Sequence, residues 1–406
     1  NPLLAPWTGC FGLPPFAQVQ PEHFAPAFEV ALAAHRAEVA AIAGNAAAPS
    51  FDNTVAALDA SGRQLARIEA LFRNLTASHT SAALQAVERE MAPKLAAHHS
   101  DILLDARLFA RIDALHAQRD ALGLSAEQLQ LLKRIHLDFV MAGARLAPAA
   151  RARIAEIVKE HAELTTRFGQ NVLHDESTQC LWLRSEDELA GLPEFLRAAA
   201  KEAAEQRAPS GVRSEQSDTQ PDAQSDDRRG GWAITLSRSM VVPFLTFSTR
   251  RDLRQRAYAL WKARGEHEGA HDNRPIARRI LALRNEQARL HGYASYADFA
   301  LVDRMAGTPS AVRDLLLRVW TPAKARADEE RAQLAALARA DGIATIEPWD
   351  WRFYAEQLRQ QRYQLDDAQL KPYFALDRML AAAFDVAGRL FGLRFIERPE
   401  IETYHP

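Results

Sequence analysis

Hydrophobic and polar positions follow a helical period along most of the chain. Phe24, Phe28, Ala31, His35, Val39 and Ile42 recur at steps of three and four, which puts one stripe on one helix face. Gly44-Asn45 supply a stop, and Asp52-Asn53-Thr54 offer caps for a next helix continuing through Val55, Leu58, Leu65, Ile68 and Phe72. Amphipathic runs over 80–98, 101–122, 125–140 and 148–173 follow, with Pro93 predicted to kink or break the helix that holds it. The first half therefore reads as antiparallel helices joined by short loops. Two short segments change period. Thr178–Leu183 and Trp232–Leu236 are rich in aromatic and β-branched residues and are predicted to pair as a small ribbon. A helix over 187–206 separates them, followed by Arg207–Gly231, where only Ala208, Val212 and Ala223 are apolar. Such a stretch cannot bury a core and is predicted to be a mobile surface excursion. Helices resume over 250–264, 274–291, 309–340, 350–362 and 376–391. Asp272-Asn273 before Pro275, and Thr308 before Pro309, mark two of their starts.

Composition narrows the class. With 50 Lys+Arg against 52 Asp+Glu, the net charge of -2 argues against a broad nucleic-acid footprint. At 406 residues and 48% hydrophobic, the chain is a globular protein of two or three lobes. Its longest apolar stretch, Trp232–Phe247, contains Arg238 and Pro243 and is shorter than the roughly 20 residues a spanning helix needs. Cys10 and Cys180 are far apart and fit no metal-ligand spacing; they are compatible with a reducing compartment. The start has no charged leader, and Tyr404-His405-Pro406 reads as a chain cut in mid-fold.

His267-Glu268-Gly269-Ala270-His271 fits H-E-x-x-H, in which two histidines one helical turn apart hold zinc and the glutamate acts as base. That geometry needs a helix. Gly265 looks like a helix stop, Gly269 would cost about 1 kcal/mol in a helix relative to Ala, and Asp272-Asn273 begin a new one. The segment is read as a polar inter-helix loop; Glu286 is conceivable as a third ligand, but nothing singles it out. Adjacent His98 and His99 point apart on a helix, one packed and one exposed, while His116, His136, His161 and His174 read as single histidines at the core edge. Glu88-Arg89-Glu90 and Asp328-Glu329-Glu330-Arg331 read as solvated helix faces. Trp349, Trp351, Phe353, Tyr354, Tyr363, Tyr373 and Phe374 are dense enough either to line a peptide groove or to form a core between helices.

Several ordered blocks resemble bacterial peptidyl-dipeptidases (dipeptidyl carboxypeptidases) of the thimet-oligopeptidase family of zinc metallopeptidases. The blocks are Asn1-Pro2-Leu3-Leu4, Pro21-Glu22-His23-Phe24 with Pro26-Ala27-Phe28, and Phe51-Asp52-Asn53-Thr54 with Ala57-Leu58-Asp59-Ala60-Ser61-Gly62. Gly292-Tyr293 with Tyr296-Ala297, Met305-Ala306-x-Thr308-Pro309 and Trp349-Asp350-Trp351-x-Phe353-Tyr354-Ala355-Glu356-Gln357 continue the series. Leu370-Lys371-Pro372-Tyr373-Phe374 and Phe391-Gly392-Leu393 complete it. The resemblance implies a mainly α fold: the helical N-terminal wall and cap of a neurolysin-like metallopeptidase channel, with a small two-stranded β ribbon. It implies a bundle over 1–175, a ribbon region over 176–249 with its insertion at 207–231, and a second helical region over 250–406 truncated before the catalytic domain.

Family members continue past this point, and their metal-binding helix, third glutamate ligand and transition-state tyrosine and histidine lie in that continuation. The expectation is therefore that this chain holds no catalytic, cofactor-binding or metal residue and is inactive alone. Zinc belongs to the full-length enzyme, which would remove C-terminal dipeptides from short peptides. The expected partners are peptide substrates and the missing catalytic domain, with no nucleic acid and no membrane. The cytoplasm is the expected location, with the periplasm as the alternative. A naturally truncated peptide-binding or scaffold protein is the rival reading; a self-contained hydrolase built on 267–271 is the third.

Overall fold

The computed structural model describes residues 1–207, 231–364 and 367–405. The predicted excursion at 207–231 falls, except for its end residues, outside the described residues. The elements are mainly helical. They are α1 (Phe24–Ala43), α2 (Ala57–Asp59), α3 (Arg63–Ser78), α4 (Ala82–Leu103), α5 (Ala106–Ala117), α6 (Ala126–Ala142), α7 (Pro148–Thr178) and α8 (Glu194–Arg207). Then come α9 (Arg238–Phe247), α10 (Arg251–Lys262), α11 (Asn273–Leu290), α12 (Tyr296–Ala300), α13 (Pro309–Ala340), α14 (Trp351–Tyr363), α15 (Asp367–Leu370) and α16 (Leu376–Phe391). Strands β1 (Cys180–Leu183) and β2 (Trp232–Thr235) form an antiparallel ribbon, with Cys180 opposite Thr235 and Leu183 opposite Trp232. The mainly α fold and the ribbon agree with the sequence reading. No helix among the described residues is long and apolar enough to cross a membrane.

The chain divides into two compact units. The first comprises residues 1–170, 275–311 and 397–406; the second comprises 171–274 and 312–396. In the first unit the α1 stripe buries Phe24, Phe28 and Leu32 against Ile68, Leu71 and Phe72 of α3 and Leu84 and Met91 of α4. The Phe28 and Phe72 rings meet edge-on with centroids 5.4 Å apart, a favoured aromatic geometry. A neighbouring cluster joins Val39 and Ile42 to Leu108, Ile112, Leu132 and Phe139. Ile154 and Ile157 of α7 meet Leu283 of α11, flanked by paired Arg153–Glu286 and Arg279–Glu160. In the second unit, Leu181 and Leu183 alternate inward along β1, and α8, α9 and α10 close over the ribbon with Leu196, Val241, Phe244 and Leu253.

Three local expectations need correction. The helix read through Val55 to Phe72 is two pieces. Ser50, not Asp52, is the cap, its Oγ accepting from Asn53 N–H at 3.1 Å, and a π-helical turn over Phe51–Ala56 leads into α2. The chain then breaks at Ser61-Gly62, where Gly62 takes φ +69°, before α3 starts. Pro93 does not break α4, which runs through it. The helix read over 187–206 begins only at Glu194, after a 3₁₀ turn over Glu186–Leu189. The apolar stretch after β2 is itself a helix, α9, which accommodates Pro243.

Candidate functional site

His267 and His271 lie in the loop between α10 and α11, as the glycines and caps predict. Gly265 (φ +75°) and Gly269 (φ +117°) hold backbone conformations that a helix excludes. The loop is pinned from α7: Asp175 Oδ2 accepts from Gly265 N–H at 2.6 Å, and Gly265 O accepts from Asn273 N–H at 2.7 Å. The His271 ring stacks on His174 with centroids 3.8 Å apart, and its Nδ1 is 3.1 Å from Asn171 Oδ1. His267 Nε2 stands 3.8 Å from Asp175 Oδ2. A stacked ring with a committed nitrogen, on a non-helical backbone, does not present two imidazoles to one ion. The residues present do not fit the zinc site that the motif suggests. Glu286 is held by both ends of the Arg153 guanidinium, at 2.6 and 3.0 Å. Among the described residues no group of three or more His, Cys, Asp or Glu is arranged to hold a metal.

The histidines are less solitary than their spacing implies. His98 is buried and His99 exposed, as expected, but His98 Nε2 lies 2.9 Å from His35 Nδ1. His116 stacks on His136 at 3.7 Å, His136 Nε2 is 2.9 Å from Asp113 Oδ1, and His161 meets Arg284. Sequence separations of 20 to 123 residues hid these pairs, because helix packing and not local period brings the side chains together. Asp328 pairs with Lys324 and Arg331 on one exposed helix face, which is the solvated arrangement expected.

The aromatic cluster divides. Tyr354 is fully buried and donates to Asp341 Oδ2 at 3.0 Å, with Trp351 and Phe353 packed around it and Trp349 against the ribbon core. Tyr363, Tyr373 and Phe374 are exposed. Phe374 joins Phe195, Phe247, Leu370 and Pro372 around an apolar groove of about 820 Å³. Lys371 Nζ lies 5.1 Å from the centre of the Phe195 ring, and an Arg359–Glu356 pair stands at the edge. The groove has the size and lining of ligand pockets in general. Two helices leave apolar side chains uncovered. Leu315, Leu316, Leu317, Val319 and Trp320 are more than half exposed, and residues 313–326 of α13 are exposed on every side. Leu376, Phe384, Leu390 and Phe391 of α16 are likewise exposed.

Several of the motif blocks have a structural task. Asn53 and Thr54 accept from the buried Arg111 guanidinium at 2.8 and 3.2 Å, and the carbonyls of Asn45 and Ala47 accept from its Nη1. All four partners are neutral. Asp350, fully buried, accepts from Arg254 at 2.9 Å and Arg251 at 2.8 Å. Burial pushes its carboxyl up, and the Arg251 and Arg254 hydrogen bonds outweigh that and hold it below the usual range. Ser61 and Gly62 meet His35: a Cβ on Gly62 would lie 2.7 Å from the imidazole Cε1.

Comparison with known proteins agrees with these blocks. The model of Peptidase family M3 matches residues 244–406. The chain is 36% identical over 408 residues to the dipeptidyl carboxypeptidase of Escherichia coli (strain K12) and 37% over 409 residues to that of Salmonella typhimurium (strain LT2). It is 30% identical over 411 residues to the oligopeptidase A of Salmonella typhimurium. Each alignment covers the whole chain, and the chain spans about 57% of the length of these curated relatives. The likeness to dipeptidyl carboxypeptidases read from the blocks is borne out.

Proposed function

We propose that this chain is the wall-forming part of a metallopeptidase that releases dipeptides from the C-terminal end of oligopeptides. The observation that carries the reading is the full-length alignment to dipeptidyl carboxypeptidases that are themselves much longer. In this reading residues 1–175 form a helical bundle, 176–249 the ribbon region and 250–406 a second helical region. None of them supplies a zinc ligand; zinc and the bond-breaking chemistry belong to sequence outside this chain. The loop at 267–271 supports that assignment because its geometry does not suit the ion. The exposed apolar run of Leu315, Leu316, Leu317, Val319 and Trp320 on α13 supports it too, since contiguous uncovered apolar surface marks an interaction site. The continuation of the polypeptide is the occupant this reading gives to α13 and α16, and the groove at Phe195, Phe247 and Phe374 is a wall for peptide side chains.

The test compares the 406-residue chain with a protein extended through the downstream reading frame. The extended protein is expected to bind zinc at one per chain and to release dipeptides from a blocked peptide. The shorter chain should do neither. Stoichiometric zinc in the shorter chain, lost on His267→Ala, would overturn the reading. A stop codon after residue 406, together with peptide binding and no hydrolysis, would favour the scaffold alternative.

A further inference from the structure

The His35–His98 pair is set apart by which protons it can carry. His35 Nε2 lies 3.1 Å from Ser61 Oγ, and His35 Nδ1 lies 2.9 Å from His98 Nε2. The Ser61 hydroxyl donates to the Leu58 carbonyl at 2.7 Å, so its oxygen has only acceptor capacity left for the ring. His35 Nε2–H must therefore donate to Ser61, and His35 Nδ1 is bare. His98 Nε2–H must then donate to His35. That leaves His98 Nδ1 bare as well, buried and without a partner. One tautomer is dictated for each neutral ring. The same order of donors excludes Ser61 as a nucleophile, because the imidazole gives it a proton and cannot take one.

A further proton has no good place. On His35 Nδ1 it would face the His98 N–H head-on. On His98 Nδ1 it would put a charged donor where nothing accepts it. The charged groups around the pair are Arg36 and Glu38 on α1, Glu69 on α3 and His99 beside His98 on α4. Glu38 and Glu69 favour a charge on His35; Arg36, His99 and the opposite ring disfavour charge on the pair. Glu38 is already committed to Gly62 N–H at 2.7 Å. Burial prevails at both rings, and it lowers His98 to about 4. The other pairs differ. His136 faces the Asp113 carboxylate at 2.9 Å, and His271 leans on the neutral amide of Asn171 in a half-exposed loop.

We propose that His98, His35 and Ser61 form an acid-released latch, which holds α1, the Ser61-Gly62 turn and α4 together while both rings are neutral and lets them part when either is protonated. The folded state needs the neutral ring and the unfolded chain does not. Stability is therefore full above the ordinary histidine value and falls as pH drops from about 6.5 towards about 4.

His98→Gln tests it, because the Gln amide N–H can reach His35 Nδ1 and carries no titrating proton. The two proteins are compared by urea unfolding, with hydrogen exchange read in α1 and α4. From pH 7.5 to 5.0 the parent's folding constant should fall about 30-fold more than the variant's, the ratio set by a shift from about 6.5 to about 4. An equal fall in both overturns the latch. Nitrogen chemical shifts of His98 give a second reading that needs no variant. A neutral Nε2–H tautomer kept at pH 5.5 in the folded protein supports the latch; titration near 6.5 with α1 and α4 still protected overturns it.

Discussion

Asp350→Asn removes a charge without removing volume, and its effect follows from what Asp350 holds. The carboxylate is fully buried and so is Arg254. Arg254 also donates to the carbonyls of Ser248 and Trp349 at 2.7 and 3.2 Å, and its guanidinium lies 4.1 Å from the Phe353 ring centre. It cannot swing out to water when its partner is neutralised. Arg251 is partly exposed and can. Breaking a buried pair from one side costs about 3–5 kcal/mol, because the charge left behind is uncompensated. In urea, with a slope of about 3 kcal/mol/M, the midpoint of the second unit should fall by about 1–1.7 M. Replacing both partners, with Arg254→Met and Asp350→Leu together, should cost less than Asp350→Asn alone, within about 2 kcal/mol of the parent. The depressed carboxyl adds a pH signature. Its stabilisation is present above the ordinary carboxyl value of about 3.9, is lost as pH falls through the lower folded value, and is absent from the variant. A cost for Asp350→Asn under about 0.5 kcal/mol, or a double variant as weak as the sum of its parts, would refute the argument.

Two further predictions concern the backbone and a phenol. Gly62→Ala should cost about 2–4 kcal/mol in a denaturation midpoint, from the strain of positive φ and the displaced His35 ring. Gly123→Ala is the control: its φ is +63° with nothing within 4 Å of an added Cβ, so about 1–2 kcal/mol of strain alone is expected. Burial, reinforced by its hydrogen bond to Asp341, pushes the Tyr354 phenol up to about 12. Ultraviolet titration should show a late-ionising tyrosine that Tyr354→Phe removes. The associated stability is present below pH 10 and lost as pH rises through about 12.

What the sequence made legible was local. The α1 stripe, the Thr308-Pro309 start and the ribbon strands are set by periods and caps that neighbouring residues dictate. The rejection of a helix at 267–271 rested on Gly265 and Gly269, and both take positive φ. What stayed hidden depends on packing between distant segments. Val55 to Phe72 kept a helical period across a break because Ser61-Gly62 answers to His35 on another helix. The histidine pairs and the Arg111 clasp join residues tens of positions apart, and no window of sequence contains both partners. The aromatic run at 349–374 could not be divided into core and rim because density of rings alone does not say which ones find a second layer.

The Arg111 clasp carries a consequence beyond its own stability. Amide, hydroxyl and carbonyl oxygens hold this cation, and none of them gains a proton anywhere in the working range of water. Acidification thus leaves untouched the seam between α5 and the segment after α1, whereas the seam between α1 and α4 responds. The first unit therefore has one seam whose hydrogen bonds ignore hydrogen ions beside one that counts them, and hydrogen exchange on acidification should separate the two.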